Sequence, residues 1–474
     1  MRRAKIVSTL GPASDSYEVI RALVEAGTDM VRLSTGDGSH VELEGRYARL
    51  RRASADVGRS VGVLADLHGP KVRLGRFREG PVLLERGDVF RLFSAEAEGD
   101  HEGCGTTHEG LADDVRPGSE VLVDEGRVVL EVSSVSGGVV TTRVVRGGLV
   151  SDHKGVNLPG VPSPGSALGG KVVEDLRWAL RLGVDVVALS SVRGAEDAVE
   201  ARRVMAEEGH RVPVIAKIEK PHAVEALEAL VDAFDGIMVA SGELGVEMAL
   251  ESVPLVQKRA VKLARRMAKP AIVTTQMLDS MVEASRPTRA EASDVANAVM
   301  DGADALMLSE ETSVGSHPVE AVRTMGRIVA AAEEDMLAEG LRPLAEEDKP
   351  RTQGGSVARA AAEIGDFLGA RGLVAFTQSG DTVRRLSRYR SPIPVLAFTP
   401  EPTTRAQLGL SWGVEAFCVP VVRTTDEMVA QVDEELLRLG RCSRGDLVVI
   451  TAGSPPGVPG TTNLVRVHRI GEAG

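Results

Sequence analysis

Eight short, nearly continuous apolar runs restrict what this chain can fold into more than any other feature. They cover positions 6–10, 30–33, 61–67, 184–189, 214–218, 237–240, 271–273 and 305–308. Runs without apolar–polar alternation read as strands buried on both faces, as in a parallel sheet. The stretches between them read as helices. Val256, Ala260, Leu263 and Met267 fall on one stripe, with Lys258, Arg265 and Arg266 placed off it. Strands alternating with helices define βαβ units. Eight of them predict a closed α/β architecture, a (β/α)8 TIM barrel, rather than an open sheet.

One gap is too long for a βα loop. Between Leu67 and Val184 the texture changes to short alternating strands with glycine turns. Val128, Leu130 and Val132 alternate with other residues, and Gly137-Gly138 marks a hairpin turn before 139–145. This predicts a β-rich lid domain at 69–155, inserted between barrel parts 1–68 and 156–335. Residues around 335–355 are charged and glycine-containing, as in a linker. Beyond it, 373–376, 395–398 and 447–451 read as strands of a C-terminal α/β domain at 350–474.

The chain has 474 residues, too many for a single core. Its formal net charge of -12 argues against a nucleic-acid footprint. Cys104, Cys418 and Cys442 fit no CxxC spacing, so neither a disulfide framework nor a zinc site is expected. No apolar stretch is long enough for a membrane span, and no charged-then-apolar leader precedes the first run. A cytoplasmic location is the expectation.

Barrels place their chemistry at the C-terminal ends of the strands. Arg32 ends the second run and Asp66 the third; Lys217 and Glu219 end the fifth. Glu243 follows the sixth, Thr275 and Gln276 the seventh, and Ser309, Glu310 and Glu311 the eighth. Singly, each could be a structural ion pair; recurring at one end of successive strands, they point to a site. Lys217 and Glu219 stand two apart on a strand and so share a face. They suit a lysine neutralising a phosphoryl group beside a carboxylate holding a divalent metal. In Ala240-Ser241-Gly242-Glu243-Leu244-Gly245, a glycine turn opens a helix, where backbone amides suit a carboxylate or phosphate. Glu243 adds a second oxygen ligand for Mg2+. Arg32, Arg73 and Lys217, with such a metal, would supply the positioning and charge neutralisation that phosphoryl transfer needs.

These residues carry a resemblance. Lys5-Ile6-Val7-Ser8-Thr9-Leu10-Gly11-Pro12-Ala13-Ser14 resembles the N-terminal signature of the pyruvate kinase family. Lys154-Gly155-Val156-Asn157-Leu158-Pro159-Gly160, Lys217-Ile218-Glu219, Thr274-Thr275-Gln276-Met277-Leu278 and Arg286-Pro287-Thr288-Arg289-Ala290-Glu291 are similar to further family motifs. So is the run from Ser293-Asp294-Val295 through Asp301-Gly302-Ala303-Asp304. The resemblance covers nearly the whole chain, in order. It implies phosphoryl transfer from phosphoenolpyruvate to ADP, giving pyruvate and ATP in glycolysis, with Mg2+ or Mn2+ as cofactor, in a homotetramer. It also implies that Lys217 contacts the phosphoryl group and that Glu219 and Glu243 bind the metal. The amides of Gly242 and Glu243, with Thr275, would hold the substrate carboxylate, and Thr275 would serve the proton path. Arg32 and Arg73 would bridge phosphates, while Lys154 and Asp124 on the lid would face the nucleotide.

Several positions depart from the family pattern. Ser34-Thr35-Gly36-Asp37-Gly38 stands where Asn-Phe-Ser-His-Gly is usual, and Asp66-Leu67-His68-Gly69-Pro70-Lys71 where Asp-Thr-Lys-Gly-Pro-Glu is usual. Members that require potassium ligate it with the first loop's Asn and Ser and the second motif's Asp and Thr. Ser34, Gly36 and Leu67 leave Asp66 as the main retained ligand, and Lys71 brings a cation to the edge of that site. Potassium independence, with the Lys71 ammonium in the ion's place, is therefore expected; a solvated Lys71 is the alternative. Ser191, Ser241, Glu243, Glu310, Asp37 and Gly169-Gly170-Lys171-Val172 also depart. None removes Lys217, Glu219, Thr275 or Arg32.

In the C-terminal region, Thr377-Gln378-Ser379-Gly380-Asp381-Thr382 follows a strand and precedes a helix-like segment. The resemblance implies an effector loop for an activating sugar phosphate or nucleotide monophosphate, held by Thr377, Ser379, Gly380 and Thr382. Pro455-Pro456-Gly457 and Thr462-Asn463 resemble its second loop. Plain N-capping by Ser379 or Asp381 is the alternative. Two rival functions are a non-catalytic homologue that senses phosphometabolites and an aldolase-type barrel lyase. The intact Lys217, Glu219 and Thr275 argue against the first; the inserted and C-terminal domains argue against the second.

Overall fold

A computed structural model describes residues 2–472 apart from 70–71, 96, 125, 161–166, 275, 339–351 and 455–459. Its centre is a closed barrel of eight parallel strands. They are Lys5–Thr9, Met30–Ser34, Gly62–Leu67, Val186–Leu189, Val214–Ile218, Gly236–Ala240, Ala271–Thr274 and Ala305–Leu308. The ring closes where Lys5 pairs with Ala305. Nearly every strand residue is buried, since side chains fill the lumen on one face and meet the helices on the other. Val7, Leu64, Ile215 and Ile272 belong to the inner cluster, and Ile6, Val63, Ala216 and Val273 to the outer one.

Local signals start and stop the helices where the sequence suggests. Ser39 and Glu42 form a capping box on His40–Val57, which ends at Gly58 with φ +74°. Thr288 and Glu291 do the same for Arg289–Asp301. The Glu291 carboxylate also accepts from Ser280 N and Oγ, both at 2.6 Å. That part of the motif is therefore structural: it ties the loop after the seventh strand to the next helix.

The insertion carries a two-stranded sheet and a six-stranded sheet with their own core, including Phe90, Leu92, Val121, Leu130 and Val144. Val128–Ser136 and Val139–Arg146 form the expected hairpin, with Gly137 and Gly138 at φ +60° and +79°. Val156–Asn157 pairs with Glu120–Val123, so the insertion's hydrogen bonding runs slightly past position 155.

The helix Pro318–Ala338 runs through position 335, and Gln353–Leu368 already includes Gly354 and Gly355. The stretch read as a linker is thus helical at both described ends, and the rest lies outside the described residues. The C-terminal domain has five strands, in the order Val414–Cys418, Val395–Thr399, Gly372–Phe376, Leu447–Gly453, Thr462–Arg469. The first and last of these escaped the sequence reading. Val414–Cys418 is half-exposed, and Thr462–Arg469 is an antiparallel edge with polar residues.

One helical residue sits on the opposite side from expectation. Arg265, placed off the apolar stripe of Val253–Arg266, is 2% exposed. The C-terminal domain covers that face, and Arg265 Nη2 donates to the Arg388 carbonyl at 3.1 Å.

Candidate active site

Four neighbouring strands bring one cluster together. Ser34 lies beside Asp66 in the register of the second and third strands, Asp66 beside Ala188, and Leu189 beside Ala216. Side chains at the ends of strands two, three and five therefore converge at the C-terminal rim. Arg32 Nε donates to Asp66 Oδ2 at 2.7 Å, and its Nη1 donates to Thr9 Oγ1 at 3.3 Å. Lys217 Nζ donates to Ser190 Oγ at 2.8 Å, and lies 3.2 Å from Glu219 Oε2 and 3.5 Å from Asp66 Oδ1.

This lysine is 3% exposed. Burial works against its ammonium, but the carboxylates of Asp66, Glu219 and Glu243 outweigh that and push its pKa up to about 12. Asp66 shows the mirror image. Burial disfavours its carboxylate, yet His68, Lys217 and Arg32 hold it well below the ordinary range. The cluster is a buried, mutually compensated set of fixed charges.

Glu219 is held by the loop after the fourth strand. Its Oε1 accepts from Ser191 N at 2.7 Å and Ser191 Oγ at 3.1 Å. Ser191 has φ +56°, and that left-handed conformation turns its amide onto the carboxylate. Glu243 and Gly242 lie in the first turn of Ser241–Glu247, directly after the sixth strand. Glu243 Oε2 is buried and has no hydrogen-bond partner. Ser241 Oγ donates to Gln257 Oε1 at 2.8 Å.

A buried carboxylate oxygen without a donor, on a residue that acts on the same lysine as a second carboxylate, suits a hard cation. Among the described residues no group of three or more His, Cys, Asp or Glu side chains could hold a metal. Two carboxylates are what Mg2+ takes when substrate oxygens and water complete its shell. Glu219 and Glu243 fit that description.

Two residues of this cluster were missed from sequence. His68 Nε2 lies 3.1 Å from Asp66 Oδ2 and 3.0 Å from Arg32 Nη2. That nitrogen can donate to the carboxylate or accept from the guanidinium, one at a time. Its two-residue spacing from Asp66 was the available signal, since alternate strand positions share a face. Ser190, whose Oγ accepts a hydrogen bond from Lys217 Nζ, carries no comparable signal.

The other expected residues fall elsewhere. Arg73 Nη1 donates to His153 O at 2.9 Å, and its backbone bridges to Gly155 at the base of the insertion. Lys154 Nζ pairs with Asp124 Oδ1 at 2.8 Å. Among the described residues, neither Arg73 nor this pair makes a hydrogen bond or ion pair with the barrel cluster. Ser34 Oγ is buried with no hydrogen-bond partner. Thr275 and Lys71 lie outside the described residues.

In the C-terminal domain, Thr377, Ser379 and Thr382 line a cleft of about 690 Å³. Thr377 Oγ1 accepts from Gly380 N at 2.8 Å, and Thr382 Oγ1 meets Thr462 Oγ1 at 2.7 Å. The following helix, Asp381–Ser387, has Gly380 as its N-cap, so neither Ser379 nor Asp381 caps it. Asp381 pairs instead with Arg385 at 2.6 Å. Pro455, Pro456 and Gly457 lie outside the described residues.

A lysine, an arginine and two carboxylates at the rim of a (β/α)8 barrel suit a phosphotransferase. Comparison with known proteins specifies which kind. The family model described as pyruvate kinase, barrel domain, matches residues 1–322, and that described as pyruvate kinase, alpha/beta domain, matches residues 355–468. Pyruvate kinase of Mycobacterium intracellulare is 57% identical over 471 residues, covering 99% of both chains. Pyruvate kinase of Mycobacterium tuberculosis H37Rv is 56% identical over the same span and coverage. That of Corynebacterium efficiens is 54% identical over 99% of this chain and 98% of its own. The chain belongs to the pyruvate kinase family. That family generally uses Mg2+, with phosphoenolpyruvate and ADP as substrates and pyruvate and ATP as products. Among the described residues no helix is long and apolar enough to cross a membrane.

Proposed function

We propose that this chain transfers the phosphoryl group of phosphoenolpyruvate to ADP at the Arg32–Asp66–Lys217–Glu219–Glu243 cluster, without a requirement for potassium. The observation that carries this reading is the Lys217 ammonium, buried and held charged by Asp66 and Glu219. A fixed cation in a water-poor site stabilises charge spread over a transferring phosphoryl group without reorganising. Arg32, anchored by Asp66, presents a second cation from the neighbouring strand. The amides of Gly242 and Glu243 lie in a helix's first turn and suit the substrate carboxylate. Thr275 completes that contact and passes a proton to the enolpyruvate methylene carbon. Glu219 and Glu243 would hold Mg2+ or Mn2+, which supplies charge neutralisation at the phosphoryl oxygens when bound. On the inserted domain, Arg73, Lys154 and Asp124 reach the nucleotide when the lid closes and excludes water.

Potassium independence rests on Asp66. Two cations and an imidazole already surround this carboxylate, Arg32 at 2.7 Å, Lys217 at 3.5 Å and His68 at 3.1 Å. Little negative charge is left to bind an alkali ion. Lys71 adds a further ammonium in the ion's place. Turnover in potassium-free buffer tests this: full activity is expected, and strict dependence on added K+ overturns it.

The cleft at Thr377–Thr382 takes an activating sugar phosphate or nucleotide monophosphate. Its hydroxyls and paired threonines support that reading. The enzyme works in the cytoplasm as a homotetramer, as is usual for its family.

A further inference from the structure

The stretch at 154–160 returns the chain from the lid to the barrel, and Asn157 in it has no part in the reading above. Asn157 belongs to the lid strand Val156–Asn157, where it pairs with Leu122. Its side chain reaches the barrel: Nδ2 donates to Glu247 Oε1 at 3.0 Å. The same oxygen lies 3.5 Å from Lys220 Nζ, and the Glu247 side chain is 2% exposed. A buried carboxylate is costly unless it is paired and hydrogen-bonded, and here the two partners come from different domains. Glu247 ends Ser241–Glu247, the helix whose first turn carries Gly242 and Glu243. Glu243 stands one turn earlier, on the same helix face. Lys220 directly follows Glu219 and precedes the helix Pro221–Glu225. Glu247 therefore joins the lid to both segments that carry the proposed metal ligands. A helix of seven residues is too short to hold itself. Contacts at its two ends help to set where Glu243 sits: Ser241 with Gln257 at the start, Glu247 with Lys220 and Asn157 at the finish.

We propose that Glu247 is a positioning residue for Glu219 and Glu243, and that Asn157 makes its hold depend on the lid. This inference rests on the reading of Glu219 and Glu243 as the pair that takes Mg2+ or Mn2+. Without the Asn157 donor, Glu247 keeps its Lys220 contact and loses its tie to the lid. The helix end, and Glu243 with it, is then less well fixed. Coupling of this kind is reciprocal. If the lid contact raises metal affinity, metal binding steadies the lid strand by the same free energy. The Asn157–Glu247 contact thus links metal binding to the domain proposed to close over the nucleotide.

The test is Mn2+ binding to the full-length chain without substrates, followed by paramagnetic resonance. Amide hydrogen exchange of the lid strand Glu120–Val123, with and without Mn2+, accompanies it. Glu247→Gln should weaken Mn2+ about tenfold, the lower end for groups that orient a metal ligand, and Asn157→Ala about three- to tenfold. Asn157→Ala should add nothing in a Glu247→Ala background, because it acts through that carboxylate. Mn2+ should slow exchange in the lid strand of the natural chain and not in Asn157→Ala. Asn157→Asp, nearly the same in volume, carries the test if Asn157→Ala does not fold, with equal or greater weakening expected. A merely structural contact would lower the urea midpoint and leave the Mn2+ affinity of the folded variants unchanged; that result overturns the proposal. Equal Mn2+ affinity in Glu219→Gln and the natural chain is a different failure: it removes the metal-ligand reading, and this inference falls with it.

Discussion

Arg32 Nε donates to Asp66 Oδ2 at 2.7 Å, between the second and third barrel strands, with the carboxylate wholly buried. The pair holds one of the two barrel cations that face the proposed phosphoryl group. Asp66→Asn keeps the shape and removes the charge, leaving Arg32 and Lys217 without this counter-ion. Breaking a buried pair from one side costs about 3–5 kcal/mol. A lower urea midpoint of the barrel transition and a sharp fall in turnover are expected together. An unchanged midpoint would show that the charges are not mutually compensated.

Ser191 donates both N–H and O–H to Glu219 Oε1. Ser191→Ala removes the hydroxyl and keeps the amide. Groups that orient a metal ligand typically change metal affinity by about tenfold or more when lost. The Mg2+ concentration for half-maximal turnover should rise by about that factor, and Mn2+ binding followed by paramagnetic resonance should weaken in parallel. Equal Mn2+ affinity in the two proteins contradicts the role given to Ser191.

The Lys217 pKa carries a pH prediction. Its folded value, about 12, lies above the ordinary 10.5, so the ammonium stabilises the fold fully below 10.5. That contribution is lost as pH rises through about 12. Titration of this lysine should therefore cause no alkaline decline in kcat/KM below pH 10.5. A decline in that range that Lys217→Arg abolishes would contradict the assignment.

Gly11 tests packing at the loop after the first strand. A Cβ there would meet the Ser313 carbonyl oxygen at 2.5 Å and its Cβ at 2.6 Å. The glycine is needed for close approach, since its φ of −159° is open to any residue. Gly11→Ala should destabilise by about 1–3 kcal/mol, as overpacking does, visible as a lower Tm.

The barrel was legible because its strands are buried on both faces. Two of the eight, Val214–Ile218 and Ala305–Leu308, have the bounds that the apolar runs suggested. Lys217 and Glu219 were legible through alternation on one strand. His68 obeys the same rule relative to Asp66, but it was read only as part of the departing motif 66–71. Arg265 was illegible in principle. Helical periodicity reports which face meets the barrel, whereas a second domain covering the opposite face is set by a distant part of the chain. Arg73 and the Lys154–Asp124 pair depend on how the inserted domain sits, which local pattern does not encode.

The most direct test is a coupled assay of pyruvate formation from phosphoenolpyruvate, ADP and Mg2+, comparing the natural chain with Lys217→Met. Loss of the ammonium should reduce turnover by about a thousandfold or more, the scale for removing a preorganised charge aimed at the transition state. Retention of turnover within a few-fold of the natural chain would mean that the phosphoryl group passes elsewhere.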